Sequence, residues 1–205
     1  MVWHSVGAMV LWFVCAAALG GCGAGGGGAP ALHGGRLDPP KMAADFTLTD
    51  HHGNPFTLSG TRGKIVLLYF GYTACPDVCP LTMSDMAGAR ADLGADAQDV
   101  QIIFVTLDPE RDTQAVLERY VPAFDATNIG LRGTPQEIQT AAAAFGVKYQ
   151  KKALQASALG YALDHSAFIY VIDRRGQLRE LLPFGTPRQA IADDLKILIN
   201  EGTAS

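Results

Sequence analysis

Two stretches of the chain have no polar face. KIVLLYFGY (Lys64 to Tyr72) and VQIIFVTLDP (Val100 to Pro109) are apolar almost throughout and rich in β-branched and aromatic residues. That pattern predicts strands buried on both faces. Upstream, DFTLTD and PFTLSG alternate polar and apolar positions on either side of HHGN, which predicts a hairpin with His51 and His52 on its turn, in solvent. Between and after the buried strands the period lengthens to that of a helix. Residues Pro80 to Leu93 have helical character. RDTQAVLERYVPAF reads as a helix with Asp112 as N-cap and Val116, Tyr120 and Phe124 on one stripe, ended or kinked by Pro122. TPQEIQTAAAAFG has Thr134 as N-cap, Pro135 at the first helical position, Glu137 completing a capping box and Gly146 as the stop. SAFIYVIDRRGQLRELL reads as strand, turn and strand, and TPRQAIADDLKILINEG as a closing helix. VKYQKKALQASALGYAL, between Gly146 and Asp164, carries no clear period and is expected to be an inserted loop or an irregular hairpin.

The resulting order is hairpin, β, α, β, α, α, β-hairpin, α. Alternation in the first half implies a right-handed parallel unit, and the second hairpin adds antiparallel strands. The expected fold is therefore α/β, a central mixed sheet flanked by helices in the thioredoxin-like arrangement, over residues 43–205.

The first 42 residues look different. Val6 to Leu19 is almost wholly apolar, too short for a confident membrane span and suited to the core of a signal peptide over residues 1–21. It ends in LGGC, which resembles the lipobox of bacterial lipoproteins and makes Cys22 the expected lipidation site. MVWHSVG departs from the usual signal pattern in having no Lys or Arg. GAGGGGAPALHGGRLDPP follows, a Gly- and Pro-rich stretch from which no core is built. Residues 22–42 read as a lipidated cysteine and a flexible tether, with His33 solvated within it; 18 residues of such chain span roughly 25 Å. The expected location is the extracytoplasmic, periplasmic face of a bacterial membrane, held there by a lipid anchor.

Across all 205 residues the apolar share is 48%, normal for a globular protein, and the formal net charge is -4. That balance, without a long basic run, argues against a nucleic-acid partner.

The chemistry concentrates in YFGYTACPDVCP. Cys75 lies just past a buried strand, where a helix is about to start, and ligand sites in open α/β sheets form at the carboxyl ends of strands. The second buried strand ends at Asp108, which borders the same crevice as an outer support. Helix N-terminal amides favour thiolate over thiol. With Cys75 and Cys79 in one first turn, their i, i+4 spacing puts both sulfurs on one face, at a separation suited to a disulfide or to a shared metal ion. Three residues intervene, where thioredoxin-type oxidoreductases have two, which weakens the oxidoreductase reading without excluding it. Two thiolates are an incomplete site for most metals. The best third ligand is His165, in YALDHSAFIYVID, although a histidine just before a strand is as often structural. Asp164 beside it is either a partner that orients the ring or a plain surface carboxylate. A Cys-Cys-His set is soft and suits copper(I), zinc or iron–sulfur, while imidazole also suits copper(II). Structural zinc usually takes four protein ligands, so three soft ligands outside the cytoplasm favour copper.

Three motifs in this order, YFGYTACPDVCP, VTLDPERDT and DHSAFIYVIDRRG, resemble the SCO/SenC family of copper proteins that assist assembly of cytochrome c oxidase. The resemblance runs from about Asp45 to Glu201; the departures lie in the Gly-rich tether and the Arg174-Arg175 turn. It implies a thioredoxin-like fold with an insertion and one copper held by Cys75, Cys79 and His165. The implied partners are subunit II of the oxidase or another copper protein, and an oxidase client implies the inner membrane. Some members of the family deliver copper to the dinuclear site of subunit II, and others are argued to reduce that site's cysteines. One dithiol could do both, since oxidising Cys75 and Cys79 to a redox-active disulfide removes the thiolate ligands until an external thiol reductant restores them. The expected function is a copper chaperone without catalytic turnover. The rival is an enzyme, a thiol–disulfide reductase or a thiol peroxidase: DFTLTDHHGNPFTLSG also resembles the opening of peroxiredoxins and membrane-tethered thioredoxins, which share the fold.

Overall fold

The continuous apolar run Ile65–Gly71 is buried at every position because it forms the strand β4 in the middle of the sheet. In the computed structural model, which describes residues 1–3, 31–154 and 159–203, β4 is followed by α1 (Val78–Ala91), β5 (Val100–Thr106), α2 (Gln114–Tyr120), β6 (Ile129–Arg132) and α3 (Pro135–Ala144). Strands β4, β5 and β6 pair in parallel. Ahead of them come β1 (Gly35–Met42) and the hairpin β2 (Thr47–Asp50) and β3 (Pro55–Thr57). Behind them come the hairpin β7 (Tyr149–Ala153) and β8 (Tyr161–His165), then β9 (Phe168–Ile172), β10 (Gln177–Pro183) and the closing helix α4 (Arg188–Thr203). The main sheet has the order β1-β10-β9-β4-β5-β6-β2-β3, and β7-β8 form a separate two-stranded sheet.

Successive side chains of a strand face opposite ways. Tyr69 turns toward Phe104 of β5, which meets Tyr120 at the end of α2, with centroids 6.3 and 5.6 Å apart. Phe70 turns to the other face, against Phe145 at the C-terminus of α3 and Tyr170 of β9, at 5.6 and 5.9 Å. Both faces are thereby covered, as the lack of a polar face in β4 and β5 requires. Helices α1 and α4 pack side by side. Gly130 lets the end of α2 lie on β6, where an added Cβ would come within 2.8 Å of Val121.

The expected helices and buried strands are present, including the complete Thr134–Glu137 capping box. Several expectations need correction. Residues 35–42, read as tether, form β1, an edge strand paired with β10 with a register shift between Arg36 and Lys41, where Pro39 and Pro40 withhold their amide hydrogens. His33, expected in open solvent, is half exposed yet tied through its backbone amide (3.0 Å) and Nδ1 (2.8 Å) to Asp194, itself 1% exposed. Gly34 donates to the buried Glu180, whose carboxyl is pushed up to about 7 by burial and then by Asp194. His51 is buried, with Nδ1 accepting from the Gly130 amide at 3.1 Å, and only His52 is exposed. The N-cap of α2 is Thr113, not Asp112. The aperiodic insert is a hairpin, apart from residues 155–158, which lie outside the described set. Residues 4–30 lie outside it as well; they include most of the signal peptide assigned to residues 1–21, the expected lipidation site Cys22 and the start of the tether. Among the described residues no helix is long and apolar enough to cross a membrane.

Candidate metal centre

The site is built where β4 and β5 end. Their last residues, Gly71 and Thr106, pair, and the Leu107 amide donates to the Gly71 carbonyl at 2.7 Å. The chain then crosses Tyr72 to Asp77 before α1 begins. Asp112, fully buried, fixes this loop by accepting from the Thr73 amide (3.0 Å), the Thr73 hydroxyl (2.5 Å) and the Thr106 hydroxyl (2.6 Å).

Cys75 is not in the first turn of α1, as its spacing from Cys79 suggests, but in the loop before it. Its sulfur stands where a capping side chain would, because Asp77, the N-cap residue, makes no side-chain cap. The Cys79 amide donates to Cys75 Sγ at 3.4 Å. Cys79 is in the first turn and fully buried. Both cysteines are free thiols rather than a disulfide. Room for the Cys79 sulfur depends on Gly71, where an added Cβ would approach Cys79 Sγ to 3.1 Å and Tyr69 to 2.8 Å.

The pair shares one proton unequally. The hydrogen bond from Cys79, with the backbone amides of Asp77 and Cys79 and a bond from Tyr72, brings the Cys75 thiol down to about 5, despite its partial burial. The same bond, together with deep burial, pushes the Cys79 thiol up. Cys75 is thus a thiolate at neutral pH and Cys79 a thiol that donates to it. The buried Tyr69 hydroxyl reaches Cys79 Sγ at 3.5 Å, and burial above all raises its pKa.

His165 arrives on β8, the last residue of the separate hairpin, where it pairs with Tyr149. Its Nε2 lies 3.7 Å from Cys79 Sγ, and its Nδ1 lies 3.1 Å from the Ser166 carbonyl. A carbonyl oxygen only accepts, so Nδ1 carries the proton and Nε2 turns its lone pair to the cysteines. Tyr69 and Tyr72 flank the ring in edge-to-face contacts at 6.3 and 6.0 Å. Cys79 is the member that touches both others. Among the described residues no three His, Cys, Asp or Glu side chains form a ready-made cation cage. An ion entering here would draw the sulfurs and Nε2 together.

Of the two outer carboxylates, Asp164 fits its surface-carboxylate alternative, and Asp108 touches none of the three candidate ligands. Asp164 is 57% exposed and faces Lys152 at 3.9 Å, while the Ser166 carbonyl orients the imidazole in its place. Strand alternation accounts for this, since adjacent residues of β8 point to opposite sides. Asp108 is buried just past the end of β5 and binds Arg111 and, at 2.8 Å, the Tyr161 hydroxyl rather than a cysteine or His165. Tyr69, Tyr72 and Asp112 were not among the expected site residues. The two tyrosines lie inside the cysteine motif and Asp112 inside VTLDPERDT, which was the available signal in each case.

Residues 35–200 match the SCO1/SenC family. The chain belongs to that family. An SCO2-like protein of Rickettsia felis is 37% identical over 140 residues, covering 68% of each chain, and protein sco1 of Schizosaccharomyces pombe is 35% identical over 158 residues, 76% of this chain and 59% of that one. Among solved structures, copper-bound ScoI of Bradyrhizobium japonicum superposes with a TM-score of 0.69 at 36% identity, over 77% of this chain and 99% of that one. Apo Sco1 of Thermus thermophilus gives 0.69 at 40% identity, over 84% and 97%. The expected family and the thioredoxin-like mixed sheet are both borne out.

Proposed function

We propose that this protein is a copper chaperone of cytochrome c oxidase assembly, holding one copper ion as cargo through Cys75, Cys79 and His165. The observation that carries the reading is the aim of His165 Nε2 at Cys79 Sγ, 3.7 Å away, with the Cys75 thiolate beside it. Two sulfurs and one imidazole are a copper donor set, and copper-bound ScoI of Bradyrhizobium japonicum supports the assignment. Uptake releases the proton held by Cys79, since the metal takes both sulfurs as thiolates. Titration of the reduced protein with copper should saturate at one ion per chain. Copper(II) should give an intense sulfur-to-metal charge-transfer band. His165→Ala should weaken binding at least about tenfold, roughly 1.4 kcal/mol or more. Tight binding by a variant lacking both Cys75 and Cys79 would refute the assignment.

The depressed Cys75 thiol favours a second reading, a thiol–disulfide reductase acting on the cysteines of an apo client. In that case His165→Ala leaves client reduction intact; in a chaperone it impairs copper transfer.

The N-terminal reading belongs to the same proposal: cleavage before Cys22, lipidation of that residue, and residence on the periplasmic face of the inner membrane next to an oxidase client. Lipid chains contribute about 0.8 kcal/mol per buried CH₂, and two chains anchor stably. The mature protein should sediment with membranes and carry lipid mass at Cys22, and Cys22→Ser should block processing. A wild-type protein recovered free of lipid in the soluble fraction would refute the anchor.

A further inference from the structure

His165 reaches the site on a hairpin that the main sheet does not hold. Among the described residues, strands β7 and β8 pair only with each other, and an isolated two-stranded hairpin is marginally stable in water. Something outside the ladder has to fix it. Toward its closed end the ties come from the loop that follows β5: an exposed Lys151–Glu110 pair at 2.7 Å and, more deeply placed, Arg111. Its Nη1 donates to the carbonyls of Leu159 (3.2 Å) and Tyr161 (3.0 Å), and its Nε donates to Asp108. Its guanidinium carbon lies 3.8 Å from the centroid of the Tyr161 ring. The Tyr161 hydroxyl in turn donates to the same Asp108, which is 1% exposed. On its other side Arg111 stands 5.8 Å from Tyr72, whose ring abuts His165 and whose hydroxyl meets the backbone of Leu163. One planar, five-donor group thus joins a buried carboxylate of the main sheet to two carbonyls and an aromatic face of the hairpin, a combination an ammonium does not reproduce.

We propose that Arg111 is a positioning residue for the metal centre, clasping the β7–β8 hairpin to the end of β5 and so setting how close His165 Nε2 stands to the cysteine pair. The role presupposes that His165 is a ligand. Because the three donors are not preassembled, the clasp decides how far the hairpin must travel when a metal arrives, and how long the imidazole stays once it has bound.

The test uses Arg111→Lys, which keeps the charge and loses the fork, and Tyr161→Leu, which removes the ring and hydroxyl should the first variant not fold. Amide hydrogen exchange over residues 161–165 should accelerate about tenfold or more in either variant, with β4 and β5 unchanged. Copper affinity of the reduced protein should fall about tenfold in Arg111→Lys, and by no further factor when the same change is made in a His165→Ala background. An equal additional loss in that background would mean a general structural effect and would overturn the positioning role. Unchanged exchange in both variants would overturn the clasp itself. Wild-type copper affinity in His165→Ala alone would instead overturn the ligand reading, leaving the exchange result to stand for the hairpin.

Discussion

Oxidation of Cys75 and Cys79 to a disulfide is expected to abolish copper binding, and bound copper is expected to protect the pair from oxidation. Both states draw on the same two sulfurs. Starting from the thiolate–thiol pair, forming the S–S bond gives up the one shared proton to solvent and two electrons to an oxidant, and neither sulfur remains a thiolate. The pair is poised for it. Cys75 is the partly buried thiolate, lowered to about 5, and Cys79 is fully buried in the first turn of α1 with its amide already directed at the Cys75 sulfur. Iodoacetamide at about pH 6.5, where an ordinary thiol is only about 1% ionised, should therefore modify Cys75 far faster than Cys79. The preference should fade as pH falls through the Cys75 value, because protonation removes the nucleophile. In the proposed mature protein, from which the leader with Cys15 is cleaved and in which lipid occupies the Cys22 sulfur, thiol counting should give two reactive thiols in the reduced apo state after denaturation, none after oxidation, and two again after treatment with a dithiol reductant. His165→Ala should oxidise normally while binding copper poorly, since the imidazole is a ligand and exchanges no electrons. A copper-loaded protein with an intact Cys75–Cys79 disulfide by mass spectrometry would refute the exclusive-state model and would require other ligands.

What could be read in advance divides along the range of the interactions involved. β4 and β5 were legible because burial on both faces leaves an uninterrupted apolar run, and α3 because its capping box spans only Thr134 to Glu137. β6 was not, since four residues containing Gly130 and Arg132 show no period; its strand state comes from β5 on one side and β2 on the other. β1 was hidden by Pro39, Pro40 and the glycines before them. It is a strand because β10 offers a free edge and because Asp194, 161 residues away, receives His33. His51 lies on the turn as read, but not in solvent, because the Gly130 amide, 79 positions later, is its partner. The candidate ligands were legible as residue types, two cysteines at helical spacing and one histidine before a strand. Their supports were not. The Ser166 carbonyl that fixes the imidazole tautomer is backbone, and backbone carries no sequence signature. Gly71 reads as the end of a strand, and only in three dimensions does its missing side chain become the space for Cys79. Arg111 sits in VTLDPERDT among other charges, and nothing local marks it as the residue that meets a hairpin some 50 positions on.

Asp112→Ala is expected to destabilise the protein by about 3 kcal/mol and to loosen the loop that carries Cys75. Asp112 was expected to start a helix, and instead it joins the two strand ends beneath the site. Removing it leaves the Thr73 amide without an acceptor and the Thr73 and Thr106 hydroxyls without their shared partner, in a place water reaches poorly. Thr106 has a second task, accepting from the Asp108 amide at 2.9 Å, so its rotation would also disturb the residue that holds Arg111. Asp112→Asn should cost less, because one oxygen still accepts, though its NH₂ faces donors. pH separates the two contributions of the carboxyl. Burial raises the Asp112 pKa, ahead of the opposing bonds from Thr106 and Thr73. A raised folded-state value favours the native state most below the ordinary carboxylate pKa, and that advantage is lost as pH rises through the folded value. Urea unfolding should therefore show the wild-type lead over Asp112→Asn narrowing from acid toward neutral pH. In the folded Asp112→Ala variant the labelling preference for Cys75 should shrink as the loop shifts its amides away from the sulfur. Unfolding curves that overlay the wild type at every pH would show that the hydroxyls and the Thr73 amide find other partners, and that the loop is held by packing alone.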